Sequence, residues 1–520
     1  MVKFKKILFF VLGIIIFLGL LNVSINIWVE SKLPQLINNE NNTDYTITYK
    51  DIDLSIWSST ITAYDVSIVP KKSLKNSDKK IGLYGNVELI EVNKFHVWSV
   101  LFGKKIKANN LVISKPIITL YKNNENAIND YNNINSKVFK PFEKIIIVSD
   151  LYLKEGKLKI LDIKNNKTLV NAHNLNFKLE GIVLNETTLN EKIPIVYSKY
   201  SFACDSLFYK LDAFYELKSK KISATEKGLN IDNFKLIPTC TRKEFVNKIP
   251  KEKDLYTILA KKISINKMDW GFKNDAFFFK TNSIILDKIN ANIYRGKMPV
   301  GDLSKKELYT NLLRNLKADI KVDTLLIKDS FLTYEEEKTF EKGPGKLFFS
   351  DFNMIVNNME SGYKKTELPD VKIKINCSFM KKSPLDVDWS FNVLDKTEGF
   401  KIAGSIHKFD AEELDEFIKP YMNAKVKGVL DEVYFNFAGN DVINKGKFSL
   451  KYDDLKVEIY QNDKRLKKNK FLSAIGNLFV KNDSDKELKT TEIEVERNQE
   501  KSFYNFLWIS LADGLKKILL

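Results

Sequence analysis

Alternation of apolar and polar residues, repeated through most of the sequence, constrains the fold of this chain more than any other feature. The segment from Val371 to Phe379 alternates without a break, and the segment from Val433 to Phe437 does so again. Successive side chains of a strand point to opposite faces, so the pattern indicates strands with one apolar and one wet face. We therefore predict a mainly β fold built on antiparallel sheet.

The phase of this alternation changes at two places, Lys50-Asp51 and Asp453-Asp454. Because side chains alternate with a period of two, such a slip requires a bulge or a bend if one face is to stay buried. Residues 60–69 then form a further predicted strand, which Pro70 ends.

Three segments resemble one another and form a degenerate repeat. They begin at Asn110, Asp150 and Thr324, and each is interpreted as a strand, a turn residue (Pro, Gly or Ser) and a second short strand. Repetition of such a hairpin-like unit favours a quasi-linear sheet. The candidate apolar residues of a groove or core are Leu111, Ile113, Leu151, Leu153, Leu325, Ile327, Phe448 and Leu450.

Few helices are predicted. Ser304 and Glu307 form a capping box before Leu308, Leu312 and Leu316, and a second helix runs from Asp410 to about Pro420. Residues 98–102 and 471–480 predict two short helices. Residues 502–520 predict an amphipathic helix that docks on a sheet end or lies at a membrane surface.

These helices are too few to cover the apolar face of so much sheet. That face must roll on itself, pair with a second sheet or meet an apolar partner that is not protein. An elongated curved sheet would leave an apolar groove, whereas paired sheets would make an ordinary filled core. Alternation alone favours the filled core.

The N-terminus predicts membrane topology. Residues 7–29 carry no charge and are long enough to cross a bilayer, and Lys3, Lys5 and Lys6 precede them. The positive-inside rule then leaves residues 1–6 in the cytoplasm and the rest across the membrane. A cleaved signal peptide and a soluble helix are the alternatives. The anchor residues are Ile7, Phe10, Ile15, Leu20 and Val29, and the remaining predicted regions are 30–245, 246–501 and 502–520.

The net charge of +17 does not indicate a nucleic-acid-binding protein. Most of the cations are Lys scattered among Asp and Glu, whereas phosphate and base readers favour clustered Arg. The three cysteines, Cys204, Cys240 and Cys377, are too few and too widely spaced for a disulfide framework or a CxxC metal site, and we predict free thiols.

No catalytic, cofactor or metal site is predicted. His96, His173 and His407 have no second ligand at metal-binding spacing, and no nucleophile elbow or phosphate loop occurs. Residues 343–346 are interpreted as a turn, and residues 335–337 as an exposed acidic turn rather than a cation site. Neighbouring aromatics at 277–279 and 348–349 point to both faces of a strand, which favours burial on both sides.

The layout resembles that of AsmA-like proteins, in particular Bacteroidetes-type members. The resemblance rests on residues 45–56 and 60–68 after the basic start and apolar anchor, on the glycine-containing strands of 435–439 and 446–457, and on the closing helix at 505–515. It implies an inner-membrane anchor and a periplasmic β-groove of the TamB-like and chorein-like bridge type.

The implied role is passive movement of phospholipid between membranes, or support of outer-membrane assembly. The expected partners are a membrane, phospholipid acyl chains and envelope proteins, without cofactor or catalytic residues. A non-transporting envelope scaffold and an exported hydrolase remain the alternatives.

Overall fold

A computed structural model of the chain describes residues 45–55, 57–71, 82–96, 106–122, 146–183, 196–274, 276–422, 424–459 and 487–519, with Val23, Ser24 and Ile27. These residues form two compact units. The first unit comprises the chain up to residue 211 with residues 218–226, and the second comprises residues 212–217 with the chain from residue 227 onward. The boundary suggested by the sequence, between residues 245 and 246, lies within a helix of the second unit.

The first unit is a mixed sheet. β3 pairs antiparallel with β1, β2 and β4, whereas β5 and β6 both run parallel to β7. Its strands are β1 (Tyr45–Thr48), β2 (Asp51–Ser55), β3 (Thr60–Pro70), β4 (Gly82–Phe95), β5 (Ile106–Ser114), β6 (Ile117–Lys122), β7 (Ile146–Asp162), β8 (Thr168–Glu180), β9 (Lys199–Lys210) and most of β10 (Tyr215–Thr225).

The second unit is also a mixed sheet, with twelve strands among the described residues. They are β11 (Gly228–Pro238), β12 (Asp254–Asn266), β13 (Asp269–Lys273), β14 (Ala276–Gly296), β15 (Asp319–Glu337), β16 (Gly345–Glu360), β17 (Val371–Phe379), β18 (Ser383–Phe391), β19 (Phe400–Asp410), β20 (Ala424–Gly439), β21 (Ile443–Ile459) and β22 (Lys489–Glu496). β14 and β15 are parallel, and the other pairs are antiparallel. The predicted mainly β fold is confirmed, but antiparallel pairing is not universal.

Short helices accompany this second sheet. They are α1 (Arg242–Lys248), α2 (Tyr309–Arg314), a 3-10 turn (Ala411–Leu414), α3 (Asp415–Met422) and α4 (Phe503–Leu519). The sequence missed α1, although Thr241 and Glu244 form its capping box. The predicted start at Ser304 was wrong, because the Ser304 side chain binds Asp302 instead and the helix begins after Leu308. α3 passes through Pro420 to Met422.

The three repeated segments are not hairpins. β7 continues without interruption through Gly156, and β15 continues through Ser330. β5 and β6 pair one after the other with the same strand, β7. The residue before each presumed turn has a positive φ: 49° at Lys115, 54° at Glu155 and 47° at Asp329. A single left-handed residue bends a strand without reversing it, so a local pattern typical of a turn belongs here to a kinked strand.

Left-handed residues lie at the same level on several strands of each sheet, although β4 and β12 have none at that level. In the second unit they are Asn233, Lys288, Asp329 and Asp351, with φ between 47° and 51°; we call this row the crease. The first unit has a matching row at Asp65, Lys115, Glu155 and Asn174. Kinks aligned on several strands bend a sheet along one line.

Both predicted phase slips coincide with left-handed residues. Lys50 lies opposite Asp65 of β3, and their charged groups are 3.8 Å apart. Asp454 has a φ of 45° and lies where the β20–β21 register shifts beside Gly428.

The largest hydrophobic core lies beneath α4. Phe503, Phe506 and Leu519 of this helix join Phe437, Phe448 and Leu450 of the sheet, all of them buried. The ring of Phe503 stacks on Trp389 with 4.6 Å between centroids. The helix predicted for residues 502–520 is confirmed for Phe503–Leu519, and of the two predicted placements, a sheet end or a membrane surface, the helix packs on the sheet.

Several sequence predictions lie outside the described residues. These are the anchor residues Ile7, Phe10, Ile15, Leu20 and Val29 and the short helices at 98–102 and 471–480. Within the described part of the chain, no helix has both the length and the apolarity that a bilayer span requires.

Candidate functional site

The candidate site lies on one face of the second-unit sheet, on the side of the crease that carries residues 284–286 of β14. Strand register places apolar side chains of five strands, β11, β12, β14, β15 and β16, in two adjacent rows on this face. We call them the apolar strip. The first row is Ile231, Ile263, Leu286, Ile327 and Met354, and the second is Leu229, Ile265, Ile284, Leu325 and Val356.

Most of the apolar strip is incompletely buried. Val356 is 5% exposed, whereas the other nine side chains all keep part of their surface accessible among the described residues. The opposite face carries Ser264, Ser283 and Thr324 in neighbouring positions, although Ile285, Leu326 and Ile355 add one apolar row there. The strip is therefore the broader apolar surface of these strands.

The same face becomes a solid core farther along the sheet. Ile373, Ile402 and Phe437 continue the second row, and they are 8%, 3% and 0% exposed. α4 packs on this part of the face, which explains the burial. This face is thus mostly buried at β19–β22 and partly open at β11–β16. The strands β17 and β18 are intermediate, because Ile375, Val387 and Trp389 on this face are half-buried.

The predicted site residues of this unit divide between the two parts. Leu325 and Ile327 lie in the apolar strip and are half-buried. Phe448 and Leu450 lie under α4 with exposures of 1% and 0%. The sequence missed the strip residues on β12 and β14, even though alternation at Ile263–Ile265 and Ile284–Leu286 marks them.

The first unit carries a comparable apolar face. Parallel register places Leu111 beside Leu151 and Ile113 beside Leu153, so four predicted residues meet in two rows. Val92 and Leu179 extend the first of these rows and are buried, whereas the four predicted residues are half-buried.

Beyond the crease, a polar network links α1 to β14 and β15, two of the five strands of the apolar strip. The Arg242 guanidinium binds the Glu335 carboxylate at 2.6 Å, and the Asn292 side-chain amide donates to it at 2.8 Å. The Tyr294 hydroxyl donates to Glu337 at 2.5 Å, and its ring lies 4.4 Å below the guanidinium carbon of Arg242. Glu335 and Glu337 are each 5% exposed, so the interpretation of residues 335–337 as an exposed acidic turn was wrong.

The Glu335 carboxyl is kept ionised by its partners. Burial acts to raise its pKa, but the hydrogen bond and charge of Arg242 outweigh burial, and the pKa of Glu335 lies below its usual range. Beside it, Tyr421 and Tyr334 both donate to Glu336, at 2.6 and 2.9 Å. Because each of these carboxylates has partners, the network is suited to fixing strand positions rather than to proton transfer.

Cation and thiol chemistry find little support in the described residues. No group of three His, Cys, Asp or Glu side chains is placed to hold a metal ion there. Cys204, Cys240 and Cys377 are free thiols, of which Cys240 is only partly buried. Burial raises the pKa of Cys377 to about 12, which disfavours the reactive thiolate.

Comparison with known proteins adds no assignment. No model of a known protein family matches the chain, and no curated protein sequence matches it.

Proposed function

We propose that this chain is a membrane-anchored, AsmA-like protein whose apolar strip binds the acyl chains of phospholipids. The observation that carries the proposal is the partial exposure of nine aligned apolar side chains on a face that is almost fully buried under α4, at residues such as Phe437 and Phe448. Full burial of an aliphatic side chain is worth about 1.5–3 kcal/mol. An acyl chain on the strip would supply the burial that α4 supplies farther along the sheet.

The proposed movement of lipid is passive. Lipid tails are about as apolar as Leu side chains, so an acyl chain that leaves a bilayer for the strip exchanges one apolar environment for another. The headgroup stays in water. Residues 7–29 would hold the protein in a bacterial inner membrane with the bulk of the chain in the periplasm, where it would move phospholipid between membranes or support outer-membrane assembly.

Lipid content of the purified protein tests this proposal. The full chain is released in mild detergent, and bound phospholipid is measured by native mass spectrometry and by extraction. We expect the wild type to retain phospholipid and Leu286→Gln to lose most of it. Ile285→Gln is the matched control, because Ile285 is the neighbouring residue on the opposite face.

Two results would refute lipid binding at the strip. One is a wild-type protein that carries no phospholipid after gentle release. The other is equal lipid content in both variants, since the effect would then not depend on which face is changed.

An envelope scaffold without lipid is the second candidate. Its support is aromatic surface on α4, where Tyr504 is 62% and Trp508 46% exposed, because Tyr and Trp are enriched at protein interfaces. A lipid-free wild type would favour this role.

A further inference from the structure

A pocket of about 460 Å³ lies at the start of β14 and β15, on the side of the apolar strip away from the crease. Lys273 and Lys280 line it from the sheet, and Lys364 and Lys365 line it from the segment after β16. Phe277, Phe278 and Tyr363 supply aromatic surface. The pocket lies wholly within the second unit.

The pocket has an excess of positive charge. Its four ammonium groups face two carboxylates, Asp269 and Asp319, which leaves a net charge of about +2 at neutral pH. Asp319 binds the ammonium groups of Lys280 at 3.2 Å and Lys365 at 3.4 Å. Asp319 therefore contacts two of the four cations, and Glu360, outside the pocket lining, lies 3.9 Å from the Nζ atom of Lys365.

The other two lysines have no such partner. Among the described residues, no carboxylate oxygen lies within 4.0 Å of the Nζ atoms of Lys273 or Lys364. The Nζ atom of Lys364 lies instead 5.2 Å from the ring centroid of Tyr363. The pocket thus has two lysines without a carboxylate partner, Lys273 and Lys364, beside two lysines that Asp319 contacts. This arrangement suits a ligand group that is anionic and has several oxygen atoms.

The distance from this pocket to the apolar strip is close to the length of a phospholipid acyl chain. Lys280, Ile284 and Leu286 share one face of β14, because even-numbered positions alternate with odd ones there. At about 3.3 Å per residue, Ile284 is about 13 Å and Leu286 about 20 Å from Lys280. One acyl chain spans about 15 Å, half of the hydrocarbon thickness of a bilayer.

Polar residues separate the two regions. Asn282 on β14 and Asp323 on β15 are exposed and lie on the same face between the pocket and the strip. The face therefore runs from a cationic pocket through a polar zone, in which Asp323 pairs with Lys321 at 3.7 Å, to the apolar strip. This is the order of phosphate, glycerol ester and acyl chain in a phospholipid.

We infer that this pocket binds the phosphate group of an anionic phospholipid whose acyl chain lies on the apolar strip. The inference rests on the proposed function and names the substrate class for the same surface. Lysine ammonium groups bind phosphate as point charges, which requires no bidentate geometry. An anionic headgroup is favoured over a zwitterionic one, because a choline or ethanolamine cation would meet the same four lysines.

Lipid uptake from vesicles tests the inference. The full chain in detergent is incubated with phosphatidylglycerol or phosphatidylcholine vesicles, and bound lipid is measured by mass spectrometry after the vesicles are removed. The variant is Lys273→Gln with Lys364→Gln. The control is Lys262→Gln with Lys372→Gln, which removes the same charge at exposed strand positions outside the pocket.

We expect the wild type and the control to take up at least fivefold more phosphatidylglycerol than phosphatidylcholine. The pocket variant should lose that preference and keep its phosphatidylcholine uptake. Persistence of the preference in the pocket variant would overturn the inference while leaving acyl-chain binding intact. Uptake of neither lipid by the wild type would overturn the proposed function as well.

Inorganic phosphate separates a lipid headgroup from free phosphate as the ligand. Binding of phosphate is measured by titration calorimetry on the same proteins. Phosphate that competes with phosphatidylglycerol in the wild type, and does not bind the pocket variant, supports recognition of the phosphate group. Phosphate binding that requires Lys273 and Lys364 without any lipid uptake would show a free-phosphate site and overturn the lipid assignment.

Discussion

Two regions of the second-unit sheet share one face and one alternating pattern but differ in what covers them. At β19–β22 the face is largely closed by α4, and Phe437, Phe448 and Leu450 are almost fully buried. At β11–β16 the same face forms the apolar strip, whose side chains are mostly half-buried. Alternation therefore specifies which face is apolar, whereas the cover depends on an element far away in sequence.

The difference also appears in how each region is stabilised. The C-terminal region is held by aromatic and aliphatic packing, such as the stacked rings of Trp389 and Phe503. Two strands of the apolar strip, β14 and β15, are held beyond the crease by the charged network of Arg242 and Glu335. Partly exposed apolar side chains contribute less hydrophobic stabilisation than buried ones, so strands that carry them depend more on contacts made elsewhere along their length.

The largest expected effect is on the sealed region. Phe448→Ala should lower the free energy of unfolding by about 3–5 kcal/mol, because the buried ring leaves a cavity between the sheet and α4. Urea unfolding measures the loss. Lys447→Ala, at the next and exposed position, should change stability little, and an equal loss in both would contradict a sealed core at this site.

The next effect is on the network beyond the crease. Arg242→Met removes the cation from a carboxylate whose side chain is 7% exposed. Because the Arg242 side chain is itself 40% exposed, solvent screens part of the pair, and we expect a loss of about 2 kcal/mol at pH 7. Lys243→Met on the same helix is the control, since Lys243 is exposed.

This second effect depends on pH in a defined direction. The pKa of Glu335 is lower in the folded protein, so its contribution is complete above the unfolded value of about 4.3 and is lost as the pH falls through the folded value. The stability difference between wild type and Arg242→Met should therefore shrink below about pH 4.3. Unfolding measured from pH 7 downward checks this, and a difference that grows in acid would contradict it.

A smaller effect is expected at the crease. Asp329→Val places a β-branched side chain at a φ of 47° and should cost about 1–2 kcal/mol. Lys328→Val, one residue earlier in the same strand, should be neutral or slightly stabilising, because Val favours extended backbone. Thermal unfolding of both variants measures the contrast, and equal midpoints would show that the left-handed residue is not required.

The smallest stability effect is expected on the apolar strip. Leu286→Ala should cost about 1 kcal/mol, well below the 2–5 kcal/mol typical of a filled core, because the side chain is already partly exposed. Urea unfolding of lipid-free protein provides the measurement. A loss of 3 kcal/mol or more would place Leu286 in a filled core and remove the difference between the two regions.

The sequence predicted strands and their apolar faces better than it predicted their connections. Alternation located β17, and the phase slips located the bend at Lys50 between β1 and β2 and the kink at Asp454. The repeat was mistaken for hairpins, since a left-handed residue before Pro, Gly or Ser is common to turns and to kinked strands. Only the neighbouring strands, which kink at the same level, distinguish the two.

The candidate site was predicted in part for a similar reason. Leu325 and Ile327 fit the pattern of an apolar strand and lie on the apolar strip, but Phe448 and Leu450 have the same pattern and are sealed under α4. The pocket lysines carry no sequence signal, because no pattern distinguishes them from the other lysines of a lysine-rich chain. Only the fold brings Lys273 and Lys364 together.

Photocrosslinking of a phospholipid with a reactive group at the end of its acyl chain tests lipid binding at the apolar strip most directly. The full chain is irradiated with this lipid, and the modified residues are mapped by mass spectrometry. We expect crosslinks within residues 284–286 and 325–327 and none at Phe448 or Leu450. Crosslinks confined to the exposed surface of α4, or none in the second unit, would contradict acyl-chain binding by the strip.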